Sequence, residues 1–122
     1  MVKILIVDDE IQFNEMLQKR LEANGYEVVS AKDGEEGLEK VESEKPDLIV
    51  LDVMMPKMGG FEACNILKND VRYKKIPIIF LSAMAQQDDF EMGKKVGADA
   101  FITKPFDPPD LLAKIEELLK KS

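Results

Sequence analysis

The chain contains no histidine and only one cysteine, Cys64. Without histidine it can build neither a histidine-based catalytic triad nor a histidine metal site, and it cannot carry a phosphohistidine. Any histidine chemistry must therefore come from a partner. A single cysteine cannot form an internal disulfide, which is typical of proteins in a reducing cytoplasm. We expect a cytoplasmic protein in which Cys64 packs in the core.

Long apolar runs and an excess of positive charge are also missing. No run approaches the roughly 20 apolar residues that span a bilayer, and the N-terminus lacks the long apolar region of a signal peptide. Acids outnumber bases by 24 to 17, which gives a formal net charge of −7. Because phosphate contacts need a basic surface, we expect no direct binding to nucleic acid and none to a membrane.

The 122 residues suffice for one hydrophobic core, and 45% hydrophobic with 34% charged residues is typical of a globular domain. No repeat or linker divides the sequence. We therefore expect residues 1–122 to form one domain.

Short apolar runs alternate with amphipathic stretches along the whole chain. The runs at 4–7, 48–51 and 78–81 are continuous and rich in branched residues, as in strands of a parallel sheet that is covered on both faces. Residues 26–30 suit an edge strand, and 100–103 form a short fifth strand. Helical patterns lie between the strands; the first places Phe13, Met16, Leu17 and Leu21 on one face. Five β-α units predict a three-layer α/β sandwich.

Polar residues stand where the predicted strands end. Asp8 and Asp9 follow the first strand, Asp52 the third, Ser82 the fourth and Lys104 the fifth. The carboxyl ends of parallel strands share one edge of the sheet, where ligands bind at a switch point of the strand order. With the order 2-1-3-4-5, this crevice lies between strands one and three. It would bring the three acids together, flanked by the serine and the lysine.

Three carboxylates in one crevice repel each other, and a hard divalent cation such as Mg²⁺ relieves that repulsion. A carboxylate nucleophile, a metal ion, a fixed cation and a hydroxyl group are what phosphoryl transfer requires. Each residue alone also has an ordinary interpretation, as a helix cap, a turn former or a solvated side chain. The shared placement at four strand ends favours a common site.

Four segments of the chain resemble the response-regulator receiver family of two-component signalling, which includes the chemotaxis response regulator. These segments are residues 4–10 (ILIVDDE), 46–56 (PDLIVLDVMMP), 78–83 (IIFLSA) and 97–106 (GADAFITKPF). The resemblance covers essentially the whole chain. It implies a flavodoxin-like α/β fold, with a five-stranded parallel sheet in the order 2-1-3-4-5 and five helices.

The resemblance also implies the phosphorylation chemistry. Asp52 would be the nucleophile that takes a phosphoryl group from a partner's phosphohistidine. Asp9 and Asp52 would hold Mg²⁺ directly, together with the backbone carbonyl of Met54. Asp8 would act mainly through a metal-bound water.

The remaining roles concern the response to phosphorylation. The resemblance implies that Lys104 pairs with Asp52 and then with the phosphoryl group. It also implies that the peptide bond between Lys104 and Pro105 is cis. Ser82 would bond a phosphoryl oxygen, and Phe101 would be the aromatic switch residue that turns inward as the Ser82 loop moves.

Two methionines are predicted to control the lifetime of the phosphorylated state. Met54 and Met84 stand two positions after Asp52 and Ser82, where they would border the approach of the hydrolytic water. Because a thioether is a weak hydrogen-bond acceptor, we expect slow self-dephosphorylation. The alternative is that the two side chains merely pack against each other.

We therefore expect a signalling switch and not a turnover enzyme. Its input would be a histidine kinase or phosphotransfer protein, and its output contact with an unidentified protein target. Ala100 replaces an acid seen in many receivers that dimerise on DNA, so we expect a monomer or weak dimer. Two alternatives stay open: a receiver fragment of a larger regulator, and an aspartate-nucleophile phosphatase. The phosphatase is disfavoured because such enzymes usually carry their nucleophile on strand one, with a second acid two positions later.

Overall fold

Strands and helices alternate strictly along the chain in a computed structural model that describes residues 1–83 and 86–121. Within these residues the strands are β1 (Lys3–Val7), β2 (Glu27–Ala31), β3 (Leu48–Leu51), β4 (Ile78–Ser82) and β5 (Ala100–Thr103). The helices are α1 (Ile11–Glu22), α2 (Gly34–Glu44), α3 (Gly60–Lys68), α4 (Gln87–Lys95) and α5 (Pro108–Lys121).

All strand pairs of the sheet are parallel, and their order is β2-β1-β3-β4-β5. Every residue of β3 and β4 is buried, because helices cover both faces of these inner strands. The edge strand β5 is only half-buried. The structure thus confirms the predicted α/β sandwich and its strand order.

Successive side chains of each inner strand point to opposite faces of the sheet and pack into two separate hydrophobic cores. Along β1, Ile4 and Ile6 face the helices α1 and α5, and meet Leu17 there. Leu5 and Val7 face the opposite side, where Cys64 of α3 is fully buried as expected. Burial on both faces explains why the central strands read as unbroken apolar runs.

Met16, which the helical pattern places on the same face as Leu17 and Leu21, is 49% exposed in the structure. The buried stripe of α1 runs instead through Asn14, Leu17 and Leu21. Asn14 occupies an apolar position because its side-chain amide donates a hydrogen bond to the backbone oxygen of Asp8, at 2.8 Å. This bond fixes the start of α1 against the end of β1.

Candidate functional site

The carboxyl ends of β1 and β3 lie side by side, and each is followed by an aspartate. Val7 pairs with Leu51 in the parallel register, so Asp8 and Asp52 occupy equivalent positions one residue further on. The backbone N–H of Asp52 donates to the oxygen of Val7 at 2.9 Å, which extends the ladder into the site. The two acids are therefore held by rigid neighbouring strands.

Asp8, Asp9 and Asp52 form one acidic cluster, as the strand-end pattern predicted. Each offers a carboxylate oxygen, and these oxygens lie within 4.8 Å of one another. Asp8 and Asp52 are buried, with exposed fractions of 2% and 8%, whereas Asp9 is exposed. Several carboxylate oxygens at such short range, one of them open to solvent, are ligands that suit a small hard cation.

Burial changes the pKa of the Asp52 carboxyl group. Val53 donates its backbone N–H to Asp52 Oδ1 at 2.8 Å. Burial, and then the negative charge of Asp8, raise the pKa of Asp52 to about 6, against the opposing effects of Lys104, a hydrogen bond with Ser82 and the Val53 amide. Repulsion and desolvation thus leave a carboxylate whose charge is poorly compensated within the protein.

Lys104, one residue beyond β5, points its ammonium group into the cluster. Nζ lies 2.7 Å from Asp8 Oδ2 and 3.5 Å from Glu10 Oε1. Burial lowers the pKa of Lys104, but the hydrogen bond with Asp8 and the charges of Asp8, Asp52 and Glu10 outweigh this effect and raise the pKa above its ordinary value. The site therefore holds its lysine fully protonated.

The lysine's partner differs from the residue that the resemblance implied. Among the described residues, Lys104 forms ion pairs with Asp8 and Glu10. Its positive charge also acts on Asp52, where it lowers the pKa of the carboxyl group against the larger effect of burial. The Asp52 carboxylate is engaged instead by hydrogen bonds with Val53 and Ser82. The expected cis peptide bond between Lys104 and Pro105 is present.

The start of α3 passes very close to the backbone of Asp52. A Cβ atom on Gly60 would lie 2.1 Å from the Asp52 backbone oxygen, closer than any side chain tolerates. The N–H of Gly60 donates to the oxygen of Val53 at 2.9 Å. Because glycine has no Cβ atom, the start of α3 can pack directly against the backbone of Asp52 and Val53.

The two residues expected to respond to phosphorylation occupy different environments. Ser82 ends β4 and is only 1% exposed. The half-buried Phe101 ring lies tilted against two other rings, with its centroid 4.7 Å from that of Phe90 and 5.8 Å from that of Phe80. Of the two methionines, Met54 is 64% exposed beside the acidic cluster, and Met84 lies outside the described residues.

Sequence reasoning missed two side chains that contact Lys104. Glu10 belongs to the Asp8-Asp9-Glu10 motif but received no role. Phe13 was assigned only to the apolar face of α1, yet Lys104 Nζ stands 4.1 Å from the centroid of its ring. The position of Glu10 directly after Asp8 and Asp9 was a sequence signal that it could belong to the site. No pattern in the sequence indicated the contact between Phe13 and Lys104.

Comparison with known proteins agrees with this geometry. The family model "Response regulator receiver domain" matches residues 4–116. The chain therefore belongs to the receiver-domain family of two-component response regulators, and it is a signalling switch domain. This confirms the family and the fold predicted from the sequence.

Individual relatives come from several kinds of organism. The chain is 47% identical over 120 residues to the alkaline phosphatase synthesis transcriptional regulatory protein PhoP of Bacillus subtilis, covering 98% of this chain and 49% of that protein. It is 40% identical to the DNA-binding dual master transcriptional regulator RpaA of Synechocystis, covering 100% and 51%. The chain thus spans about half the length of the curated relatives it matches.

Among solved structures, the chemotaxis protein CheY4 of Vibrio cholerae superposes with a TM-score of 0.91 at 38% identity, covering 97% of this chain and 98% of that one. A putative response regulator from Chloroflexus aurantiacus superposes with a TM-score of 0.93 at 33% identity, covering 98% of each chain. In the described part of the chain, none of the helices has the length and apolar character to cross a membrane.

Proposed function

We propose that Asp52 accepts a phosphoryl group from a histidine kinase or phosphotransfer protein and that the domain then signals through an altered protein-interaction surface. One observation carries this proposal: the carboxylate oxygens of Asp8, Asp9 and Asp52 converge within 4.8 Å at the ends of β1 and β3, beside the Lys104 ammonium group. A nucleophile and its charge-neutralising groups thus stand together, as phosphoryl transfer requires.

The residues of the cluster fit Mg²⁺. Asp9 and Asp52 would hold the ion directly with the Met54 backbone carbonyl, and Asp8 would hold it through a water. The bound ion supplies positive charge to the phosphoryl oxygens. The repulsion between the clustered carboxylates is the feature of this chain that favours cation binding.

The protein's own groups perform the transfer. A carboxylate oxygen of Asp52 attacks the phosphorus, and the phosphorus–nitrogen bond of the partner's phosphohistidine breaks. The Lys104 ammonium compensates charge on the transferred group, and the Ser82 hydroxyl donates a hydrogen bond to one of its oxygens. The domain thus catalyses its own phosphorylation, and later its own slow dephosphorylation.

The output is a shift between two states of the loop after β4. The phosphoryl group bonds Ser82 and Lys104 better in one state, and Phe101 moves into the space that Ser82 vacates. The changed surface of α4, β5 and α5 is then read by a protein target. This mechanism serves both a stand-alone receiver and the receiver part of a longer regulator.

We further propose that residues 1–122 make up one receiver domain, as a monomer or weak dimer in the cytoplasm. The free, buried thiol of Cys64 is compatible with a reducing compartment.

A small phosphodonor tests the proposal. Wild-type protein should take up one phosphoryl group per chain in the presence of Mg²⁺, and uptake should stop with a chelator. Asp9→Ala should lose both Mg²⁺ binding and phosphorylation, whereas Asp110→Ala, an exposed acid in the first turn of α5, should retain both. Normal phosphorylation of Asp9→Ala with chelator present would contradict the proposal. Repeated turnover of a generic phosphoester would favour a phosphatase instead.

A further inference from the structure

We propose that Phe13 is a positioning residue for Lys104: the face of its aromatic ring fixes the ammonium group at the edge of the acidic cluster. The inference deepens the function proposed above, because it rests on the role of Lys104 in phosphoryl transfer. Phe13 would act through the lysine and not on the reacting atoms themselves.

The contacts of the ammonium group carry the proposal. Lys104 Nζ lies 4.1 Å from the centroid of the Phe13 ring, well inside the roughly 6 Å range of a cation–π interaction. The same nitrogen lies 2.7 Å from Asp8 Oδ2 and 3.5 Å from Glu10 Oε1. Two carboxylates and one ring face therefore surround it.

A lysine needs such a third contact to be held in place. Its ammonium group is a compact charge on a flexible stem of four carbons, and it has no preferred plane of interaction. Carboxylates alone leave the nitrogen free to swing around them, whereas the ring closes one side. The Lys104 side chain is only 14% exposed, and exclusion of water strengthens the attraction between the charge and the ring.

The ring is itself held by rigid structure. Phe13 lies in the first turn of α1, and its ring meets that of Phe106 edge to face, with centroids 6.1 Å apart and planes at 75°. Both rings pack against the core beneath α1 and α5. The packing of the Phe13 ring therefore helps to set the position of the ammonium group, together with the acidic cluster.

The competing explanation is that Phe13 only fills space beside the aliphatic stem of Lys104. Fluorinated phenylalanines at position 13 separate the two, because fluorine withdraws electron density from the ring face but changes its shape little. If Phe13 only fills space, fluorination should leave the position of the Lys104 ammonium group unchanged. A cation–π contact, in contrast, weakens with each added fluorine. The variants avoid the cavity that Phe13→Leu would create.

Two readouts follow the series from phenylalanine to trifluorophenylalanine. The ε-methylene protons of Lys104 should be shifted upfield by the ring in the wild type and should move toward the values of exposed lysines as fluorines are added. The rate of Asp52 phosphorylation by a small phosphodonor, at fixed Mg²⁺, should fall in the same order, by about three- to thirtyfold in total.

Phe61 provides the matched control. Its half-buried ring also meets another ring edge to face, with centroids 5.1 Å from Phe80, and among the described residues no cation stands over it. The same fluorinated residues at position 61 should leave both readouts unchanged.

Unchanged Lys104 proton shifts across the position-13 series would overturn the proposal, and so would equal effects at positions 13 and 61. Failure of the function proposed above is distinguishable from these results. If wild-type Asp52 takes up no phosphoryl group, the proton shifts alone still show whether the ring fixes the lysine.

Discussion

Replacing Asp52 by asparagine should stabilise the fold at neutral pH while abolishing phosphorylation. Asp52 is 8% exposed and lies beside the buried, negatively charged Asp8. Asparagine has nearly the same shape and keeps an oxygen that can accept the Val53 N–H, but it carries no charge. The substitution therefore removes a desolvated, repelled charge and leaves the packing in place.

The magnitude follows from the raised pKa of the group. Burial and the charge of Asp8 raise the pKa of Asp52 from 3.8 to about 6, a difference that corresponds to about 3 kcal/mol. Hydration and salt reduce such values at partly open sites, so we expect asparagine to raise the free energy of unfolding by about 1–3 kcal/mol.

The pH dependence has a definite sign. Between 3.8 and about 6, the folded Asp52 keeps a proton that the unfolded chain has lost. The contribution of Asp52 to stability therefore falls as pH rises through this window, and the destabilisation is complete above it. The advantage of Asp52→Asn should disappear below the ordinary pKa of an aspartate.

Urea unfolding with a chelator, at neutral pH and below that pKa, measures both effects. The control Asp110→Asn removes an exposed acid from the first turn of α5 and should lose ~0.5 kcal/mol, because a negative charge at a helix start is favourable. Added Mg²⁺ should stabilise the wild type more than Asp52→Asn. A variant that is less stable than wild type at neutral pH would refute the reasoning.

The other predictions concern the lifetime and the output of the phosphorylated state. The double variant Met54→Asn, Met84→Glu should lose its phosphoryl group faster than wild type, because an amide and a carboxylate can orient the attacking water; unchanged or slower decay of the phosphoprotein would show that the methionines do not control water access. Gly93→Ala places a Cβ atom 3.1 Å from Phe101 Cδ2, so it should shift the ring resonances of Phe101 and spare those of Phe61. Unmoved Phe101 resonances would show that the ring does not depend on the space above Gly93.

The strand-end acids could be predicted because parallel strands leave little freedom. Once β1 and β3 are neighbours, the pairing of Val7 with Leu51 forces Asp8 and Asp52 together. The apolar runs likewise identify strands buried on both faces, and they locate the sheet edge at which the site lies.

The contacts of Lys104 could not be predicted in the same way, because they depend on side-chain packing between distant segments. Its pairing with Asp8 joins residues 96 positions apart in sequence, and the Phe13 ring reaches it through the packing of α1 against the segment that follows β5. The burial of Asn14 could not be predicted for a related reason: helical periodicity does not show that its side-chain amide donates a hydrogen bond to the backbone oxygen of Asp8.

Mapping the phosphorylated residue tests the central claim most directly. Wild-type protein treated with a small phosphodonor and Mg²⁺ is reduced with borohydride, which converts an acyl phosphate on aspartate to homoserine, and its peptides are then sequenced by mass spectrometry. Homoserine should appear at position 52, and it should be absent when chelator is present or phosphodonor is omitted. Modification of Asp8 or Asp9 instead, or of no aspartate although Mg²⁺ is bound, would contradict the account.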